Sequence, residues 1–370
     1  MSRRSVSVRR ALTGAPADRV VEAMTDALRA EYGIEDADLL LVDYRLAALL
    51  PLAGGAPVTR PGDPAWRCFD HQTEVLAGSV LHLPVNVRGE RIGVLRCRPA
   101  PDPAEDRAEL AELALALGHE LQAAVVGTDR YTMAARTRRL TLAAEMQWEL
   151  LPGRCRIRPS FGLAGQLEPS YAVNGDSFDW AEDDGRLSLA VLNGMGEGMT
   201  AALLTSLATY ALRNARRAGL PLADQAALAD QAIFAQHAGA WHVSALLLEL
   251  DLRSGELTAV DAGSPTLMVL RDGEARTQDF EAQFPLGMFE STEYHPEKVQ
   301  LRPGDRLLVV SDGITEAAAY GNVALGRFLR RIGPMAPLEA VRSLLGDLRI
   351  HLGEADLDDD AVAVVLDWSG

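Results

Sequence analysis

Apolar positions recur at two spacings along this chain, and the change from one to the other divides it. Within 17–32, Val20, Val21, Met24 and Leu28 share one face of an amphipathic helix that Gly33 stops. A strand is expected at 39–42, and a Gly/Pro-rich loop over 51–64. Two strands follow at 80–87 and 91–98, joined at Arg88-Gly89-Glu90. Residues 17–100 therefore read as a small α+β domain. Ahead of it, Arg3, Arg4, Arg9 and Arg10 mark residues 1–16 as a flexible basic tail.

Asp102-Pro103 predicts a helix start, with the carboxylate as cap and proline in the first turn. Leu110, Leu113, Leu117 and Leu121 then repeat at helical spacing. Gly127 interrupts, Leu142, Met146 and Leu150 resume the stripe, and Pro152 ends it. This makes 101–152 a helical connector. Its narrow apolar seam either packs on the flanking domains or forms a homodimer interface.

Beyond about residue 160 the period shortens. Apolar, β-favouring runs lie at 187–192, 244–250, 257–261, 266–270, 306–310 and 361–366, with helices at 200–217, 223–238 and 337–352. Residues 153–370 are thus an α+β domain large enough for two stacked sheets flanked by helices. The length of 370 residues, with 48% hydrophobic and 24% charged, fits a soluble multidomain protein.

The net charge of −16 argues against nucleic acid as a partner, because a phosphate backbone would be repelled. Cys68, Cys97 and Cys155 are widely spaced and form no C-x-x-C pair, so neither a disulfide framework nor a zinc site is expected. No apolar run is long enough to span a bilayer, and no apolar stretch follows the N-terminal arginines as a secretory signal requires. These features predict a cytoplasmic location.

The chemistry concentrates at four places: Asp176 in N-G-D-S-F-D, Asn193 in N-G-M-G-E-G, Asp312 in S-D-G-I-T-E, and Asp359 in D-D-D-A-V. Each borders a predicted strand or turn, where carboxylates from different strands can converge on one sheet edge. Oxygen ligands of this kind suit hard divalent cations such as Mg²⁺. Two such ions about 3.5–4 Å apart can orient water for in-line attack on phosphorus. Gly175, Gly194 and Gly313 beside the acids would let backbone approach an ion. The run Asp356, Asp358, Asp359, Asp360 also mimics the start of a calcium loop, but Ala361 stands where that loop needs glycine.

This ordered set, with A-A-E-M-Q-W-E-L-L-P (143–152), D-A-G-S-P-T-L-M-V-L (261–270), P-L-G-M (285–288) and L-R-P-G-D-R-L-L-V-V-S-D-G-I-T-E (301–316), resembles the PPM (protein phosphatase 2C-like) phosphatases of the SpoIIE branch. The resemblance runs from about residue 143 to the C-terminus. It implies an α-β-β-α sandwich with a binuclear Mn²⁺ or Mg²⁺ site. It also implies hydrolysis of phosphoserine or phosphothreonine by a metal-activated water, often on an antagonist of an anti-sigma factor. By that resemblance Asp176 orients the water, Asp312 and Asp359 ligate one metal, and Gly194 offers its carbonyl. Asn193 falls on the aspartate that bridges both ions, and an uncharged amide cannot bridge as a carboxylate does. Asn174 replaces a glycine usual before the first acid, and Glu197 and Ser264 stand at variable positions often held by histidine.

The string L-H-L-P-V-N-V-R-G-E-R-I-G-V-L-R-C (81–97) is similar in outline to GAF sensor domains, with a PAS-like domain as competitor. His71 and His82 there read as ordinary surface or core histidines before haem ligands. Three functions follow: a metal-dependent protein serine/threonine phosphatase, a pseudophosphatase that binds its partner without turnover, and a small-ligand sensor in the N-terminal domain.

Overall fold

Residues 2–137, 139–169, 173–316, 321–352, 357 and 359–370 are described by a computed structural model. Chain contacts divide the molecule into two units, Met1–Arg139 and Leu140–Gly370.

The first unit contains α1 (Arg3–Thr13), α2 (Val20–Tyr32), β1 (Asp36–Val42), β2 (Leu49–Pro51), α3 (Pro64–His71), β3 (Val75–Ala77), β4 (Val80–Val87), β5 (Glu90–Arg98), α4 (Ala104–Ala124) and α5 (Arg130–Ala134). Its antiparallel sheet has the order β2-β1-β5-β4-β3. The β4–β5 hairpin closes through Arg88 and Gly89, both at positive φ as a tight two-residue hairpin turn demands. One core joins Met24 and Leu28 of α2, Leu39 and Leu41 of β1, Leu83 and Leu95 of the hairpin, and Leu110, Leu113, Leu117 and Leu121 of α4.

Three expectations change here. Residues 2–16 are not a flexible tail. Val8 and Leu12 lie one turn apart on α1 and are buried, Arg4 pairs with Asp106 at 2.5 Å, and the Ser2 hydroxyl donates to Glu109 at 2.7 Å. The helix starts also fall differently. Asp102 caps nothing, because α4 begins after Pro103 without a side-chain cap. The same Asp-Pro signature does act at Asp63-Pro64, where Asp63 accepts from the Ala65 amide and opens a helix at the end of the stretch that reads as loop. Finally, 101–152 is not one connector. Leu110, Leu113, Leu117 and Leu121 are buried in the first unit's core, which leaves them unavailable as a dimer seam, while 142–150 folds as part of the second unit. His82 is buried with its Nδ1 at 3.2 Å from the Val75 carbonyl, an ordinary core histidine.

The second unit runs α6 (Leu142–Leu150), β6 (Cys155–Ile157), β7 (Phe161–Glu168), β8 (Asp176–Asp183), β9 (Arg186–Gly194), α7 (Gly198–Arg217), α8 (Leu222–His237), β10 (Val243–Asp251), β11 (Glu256–Ala262), β12 (Thr266–Arg271), β13 (Glu274–Thr277), β14 (Glu297–Gln300), β15 (Arg306–Val310), α9 (Asp312–Thr315), α10 (Asn322–Arg331), α11 (Pro337–Leu352) and β16 (Ala361–Trp368). Two antiparallel sheets form, β14-β11-β10-β9-β8 and β13-β12-β15-β16-β7-β6. Alternation explains the layering. Leu187, Leu189 and Val191 of β9, Leu246 and Leu248 of β10, and Val362, Val364 and Leu366 of β16 meet in the core between the sheets. The intervening Ala190, Leu192, Ala245 and Leu247 face α7 and α8 instead. On the other side α11 packs on β16 and β7, and α10 on β12 and β13. Strands buried on both faces read as unbroken apolar runs, which is why the pattern locates β9, β10, β15 and β16. It does not locate β7 and β8, where glycine and polar residues break the run. A Cβ on Gly165 of β7 would sit 2.5 Å from the Phe178 ring, so the ring's own packing requires the glycine.

Cys68, Cys97 and Cys155 are free and buried. Among the described residues no helix is long and apolar enough to cross a membrane.

Candidate functional site

Strand ends from both sheets of the second unit meet at one edge. Asp176 is the first residue of β8, and its partner in register is Asn193 near the end of β9. In the other sheet Asp312 opens α9 one residue beyond β15, and Asp359 and Asp360 precede β16. Backbone and hydroxyl bonds tie those two ends together: the Ser311 amide donates to the Val362 carbonyl at 3.1 Å, and the Val362 amide to the Ser311 hydroxyl at 2.9 Å. Across the sheets, the Asn193 amide donates to Asp312 Oδ1 at 2.7 Å. All five residues expected from sequence, Asp176, Asn193, Gly194, Asp312 and Asp359, are therefore brought to one place.

Glycines permit the approach, through contacts within the protein itself. A Cβ on Gly313 would lie 1.9 Å from the Asp360 carbonyl oxygen, and one on Gly175, at φ +91, would lie 2.4 Å from that of Gly194. The Gly194 amide donates to the Gly175 carbonyl at 3.1 Å, and Thr205 of α7 donates to the same carbonyl at 2.6 Å.

The acids differ in how their charge is met. Asp360 is fully buried and accepts from Gln147 Nε2 at 2.7 Å, the Asn174 amide at 2.8 Å and the Gly175 amide at 3.1 Å. Asp312 Oδ1 accepts from Asn193 and, at 3.0 Å, from the Gly313 amide. Asp359 accepts from the Asp360 amide at 2.7 Å. Burial pushes its carboxyl up to about 6; the Asp360 amide and the Asn174 side chain oppose the rise, and Asp312 and Asp360 add to it.

Asp176 is fully buried, and neither oxygen meets a donor in hydrogen-bonding geometry. Burial drives its carboxyl well above the ordinary range; Ser311 lies near enough to temper the rise, while Asp360, Asp359 and Asp312 reinforce it. A buried carboxylate facing three others without a donor asks for a proton or a cation.

Tested on that donor set, the residues fit a divalent ion held by few protein oxygens and completed by water and substrate, the style of Mg²⁺. They do not form a dense cage: among the described residues no group of three or more His, Cys, Asp or Glu side chains could hold a metal by itself. Asp356 and Asp358, part of the calcium-like run, lie outside the described residues.

Sequence pattern does not single out Gln147, Asp360 or Thr205, which hold the loop before Asp176. Gln147 Nε2 donates to the Asp176 carbonyl at 2.6 Å as well as to Asp360. Two signals were present: the glutamine inside A-A-E-M-Q, and the second acid of the Asp359-Asp360 pair.

Residues 183–369 match the family model described as Stage II sporulation protein E (SpoIIE). The chain is 20% identical over 232 residues to the phosphoserine phosphatase RsbU of Bacillus subtilis (strain 168), across 61% of this chain and 69% of RsbU. It is 26% identical over 155 residues to the phosphoserine phosphatase RsbP of the same organism, across 40% of this chain and only 38% of RsbP. Among solved structures, it is similar to the PP2C phosphatase domain of SpoIIE from Bacillus subtilis, determined with a fragment of the regulatory domain. The TM-score is 0.50 at 19% identity, over 57% of this chain and 64% of that one. The SiaA-PP2C domain of Pseudomonas aeruginosa gives a TM-score of 0.50 at 24% identity, over 56% of this chain and 85% of that one. At such identities the structural likeness speaks to fold alone.

Proposed function

The chain belongs to the SpoIIE family, and from that premise we propose that it is a divalent-metal-dependent protein serine/threonine phosphatase acting on a phosphorylated regulatory protein. The observation that carries this reading is Asp176: buried, without a donor, and gathered at one sheet edge with Asp312, Asp359 and Asn193. RsbU and RsbP are named phosphoserine phosphatases, which favours phosphoserine in a protein as the substrate class.

In this reading Asp176 would anchor the ion, with Asp312, Asp359, the Gly194 carbonyl and the Asn193 amide at its margin. The ion supplies positive charge against the phosphoryl oxygens and makes water more acidic. Asp176 accepts a hydrogen bond from the attacking water and fixes its direction. Asp360 does not touch the reacting atoms; it holds the amides of Asn174 and Gly175, and through them the position of Asp176. Gln147 supports both.

A second reading, a binding module without turnover, has its own observation: the Asn193 amide already satisfies Asp312, a place where a bridging carboxylate would have drawn in a cation. Release of phosphate from a phosphoserine protein and from p-nitrophenyl phosphate, measured with the full chain in millimolar Mn²⁺ or Mg²⁺, separates the two. Metal-dependent turnover is expected. Turnover absent in the wild type and created by Asn193→Asp would establish the second reading instead.

The anti-sigma-factor antagonist as substrate, a GAF-like sensing role for the first unit, and a cytoplasmic location stand with this proposal. The three free, buried thiols suit a reducing compartment.

A further inference from the structure

We infer that this centre binds a single divalent cation anchored on Asp176, and that the side chains of Asn174 and Asn193 stand against the other acids in place of a second. The inference rests on the phosphatase reading of the site and deepens it.

Three observations combine. Asp312 Oδ1 is taken by the Asn193 amide at 2.7 Å and the Gly313 amide at 3.0 Å. Asp359 is approached by the Asn174 side chain and by the Asp360 amide at 2.7 Å. Asp360 holds three donors of its own. Of these acids Asp176 alone has no donor in hydrogen-bonding geometry at either oxygen, although it is fully buried and Ser311 lies near. Neutral donors thus meet one oxygen of every neighbour, and Asp176 is the carboxylate with neither oxygen met, on which a cation would settle.

A second ion would need a ligand shared with the first. Two dications about 3.5–4 Å apart repel strongly in a partly dry site, and a carboxylate lying between them offsets that repulsion. The residue directly across the strand pair from Asp176 is Asn193, whose amide carries no charge and spends its N–H on Asp312. It therefore offers neither the charge nor the free geometry for that role.

The test is a titration of the metal-stripped full chain with Mn²⁺ alone, counting bound ions by the loss of the free-ion electron paramagnetic resonance signal, with thermal unfolding to verify that each variant is folded. One Mn²⁺ per chain is expected for the wild type. Asn193→Asp should bind two, and Asp176→Asn should weaken the wild-type site by tenfold or more, on the order of the loss seen when metal-site groups are removed. Two ions in the wild type, none in the wild type, or an unchanged single ion in folded Asn193→Asp would overturn the inference. If Asn193→Asp does not fold, the wild-type count and Asp176→Asn still decide. The count needs no turnover. One bound ion without hydrolysis would sink the phosphatase reading and leave this inference standing, and hydrolysis with two bound ions would do the reverse.

Discussion

Asp176 carries most of the consequence at the scale of single residues. Its carboxyl and that of Asp359 are both raised, chiefly by burial. A carboxyl whose folded pKa exceeds its unfolded one favours the fold when protonated. Its contribution is full below the unfolded value, about 3.9, and is lost as pH climbs through the folded value. For Asp359 that window runs from about 4 to about 6. Metal-free protein should therefore unfold at a higher temperature at pH 5 than the acids alone permit at pH 7.5, measured in chelator. Because an ion needs the ionised form, Mn²⁺ binding should tighten over the same rise and release protons. Calorimetry in two buffers of different ionisation enthalpy reads that release; equal heats would count against it. In the same chelated state Asp176→Asn should lose part of the pH dependence while remaining folded.

Turnover tests the neighbouring amide. Asn193→Asp should raise metal-dependent hydrolysis by about tenfold or more, equivalent to about 1.4 kcal/mol of transition-state stabilisation. Wild-type activity equal to that of the variant would show that the amide is no impediment. The Asn-Gly pair at 193–194 is prone to deamidation in flexible chains, but here Asn193 is in a strand and the Gly194 amide is donated to Gly175. That amide is the nucleophile of the reaction, so peptide mass analysis should find the side chain intact.

Between elements, the decisive contacts are those that hold two sheets edge to edge. Gln147 reaches from α6 to the Asp176 carbonyl and to Asp360. Gln147→Ala removes a donor from a buried carboxylate and should cost about 1–3 kcal/mol of stability. It should also lower kcat more than it raises KM, since it displaces the loop before Asp176 and not the substrate. Denaturant unfolding and steady-state kinetics check the two parts separately. Gly313→Ala places a Cβ 1.9 Å from the Asp360 carbonyl, a backbone atom that cannot swing aside, and folded soluble protein should not be recovered. Much at this scale was legible beforehand. Strands such as β10 and β16, buried on both faces, announce themselves as apolar runs. Others were not: β8 opens with the buried Asp176 and Ser177, polar residues that pattern alone sends to the surface. The N-terminal arginines misled in the same way, because pairing partners such as Asp106 lie a hundred residues away.

At the scale of the whole molecule the chain is two units meeting at Arg139, and the stripe 110–121 that suggests a connector is spent on the first unit's core. Limited trypsin digestion should cut after the exposed Arg139 and leave two resistant fragments. A cut within α4 would contradict that division. The family match covers residues 183–369, so the phosphatase machinery belongs to the second unit.

The sequence by itself named the residues that gather at this sheet edge and showed that one of them is an amide, because residue type and order along the chain are local facts. It also determined the layering of the second unit, since strands covered on both faces must be apolar throughout. Only the tertiary structure decided which acid stays unanswered. Donors to Asp312 and Asp360 come from Asn193 and Gln147, far away in sequence, and whether a buried charge is met depends on neighbours that folding alone brings within about 3 Å.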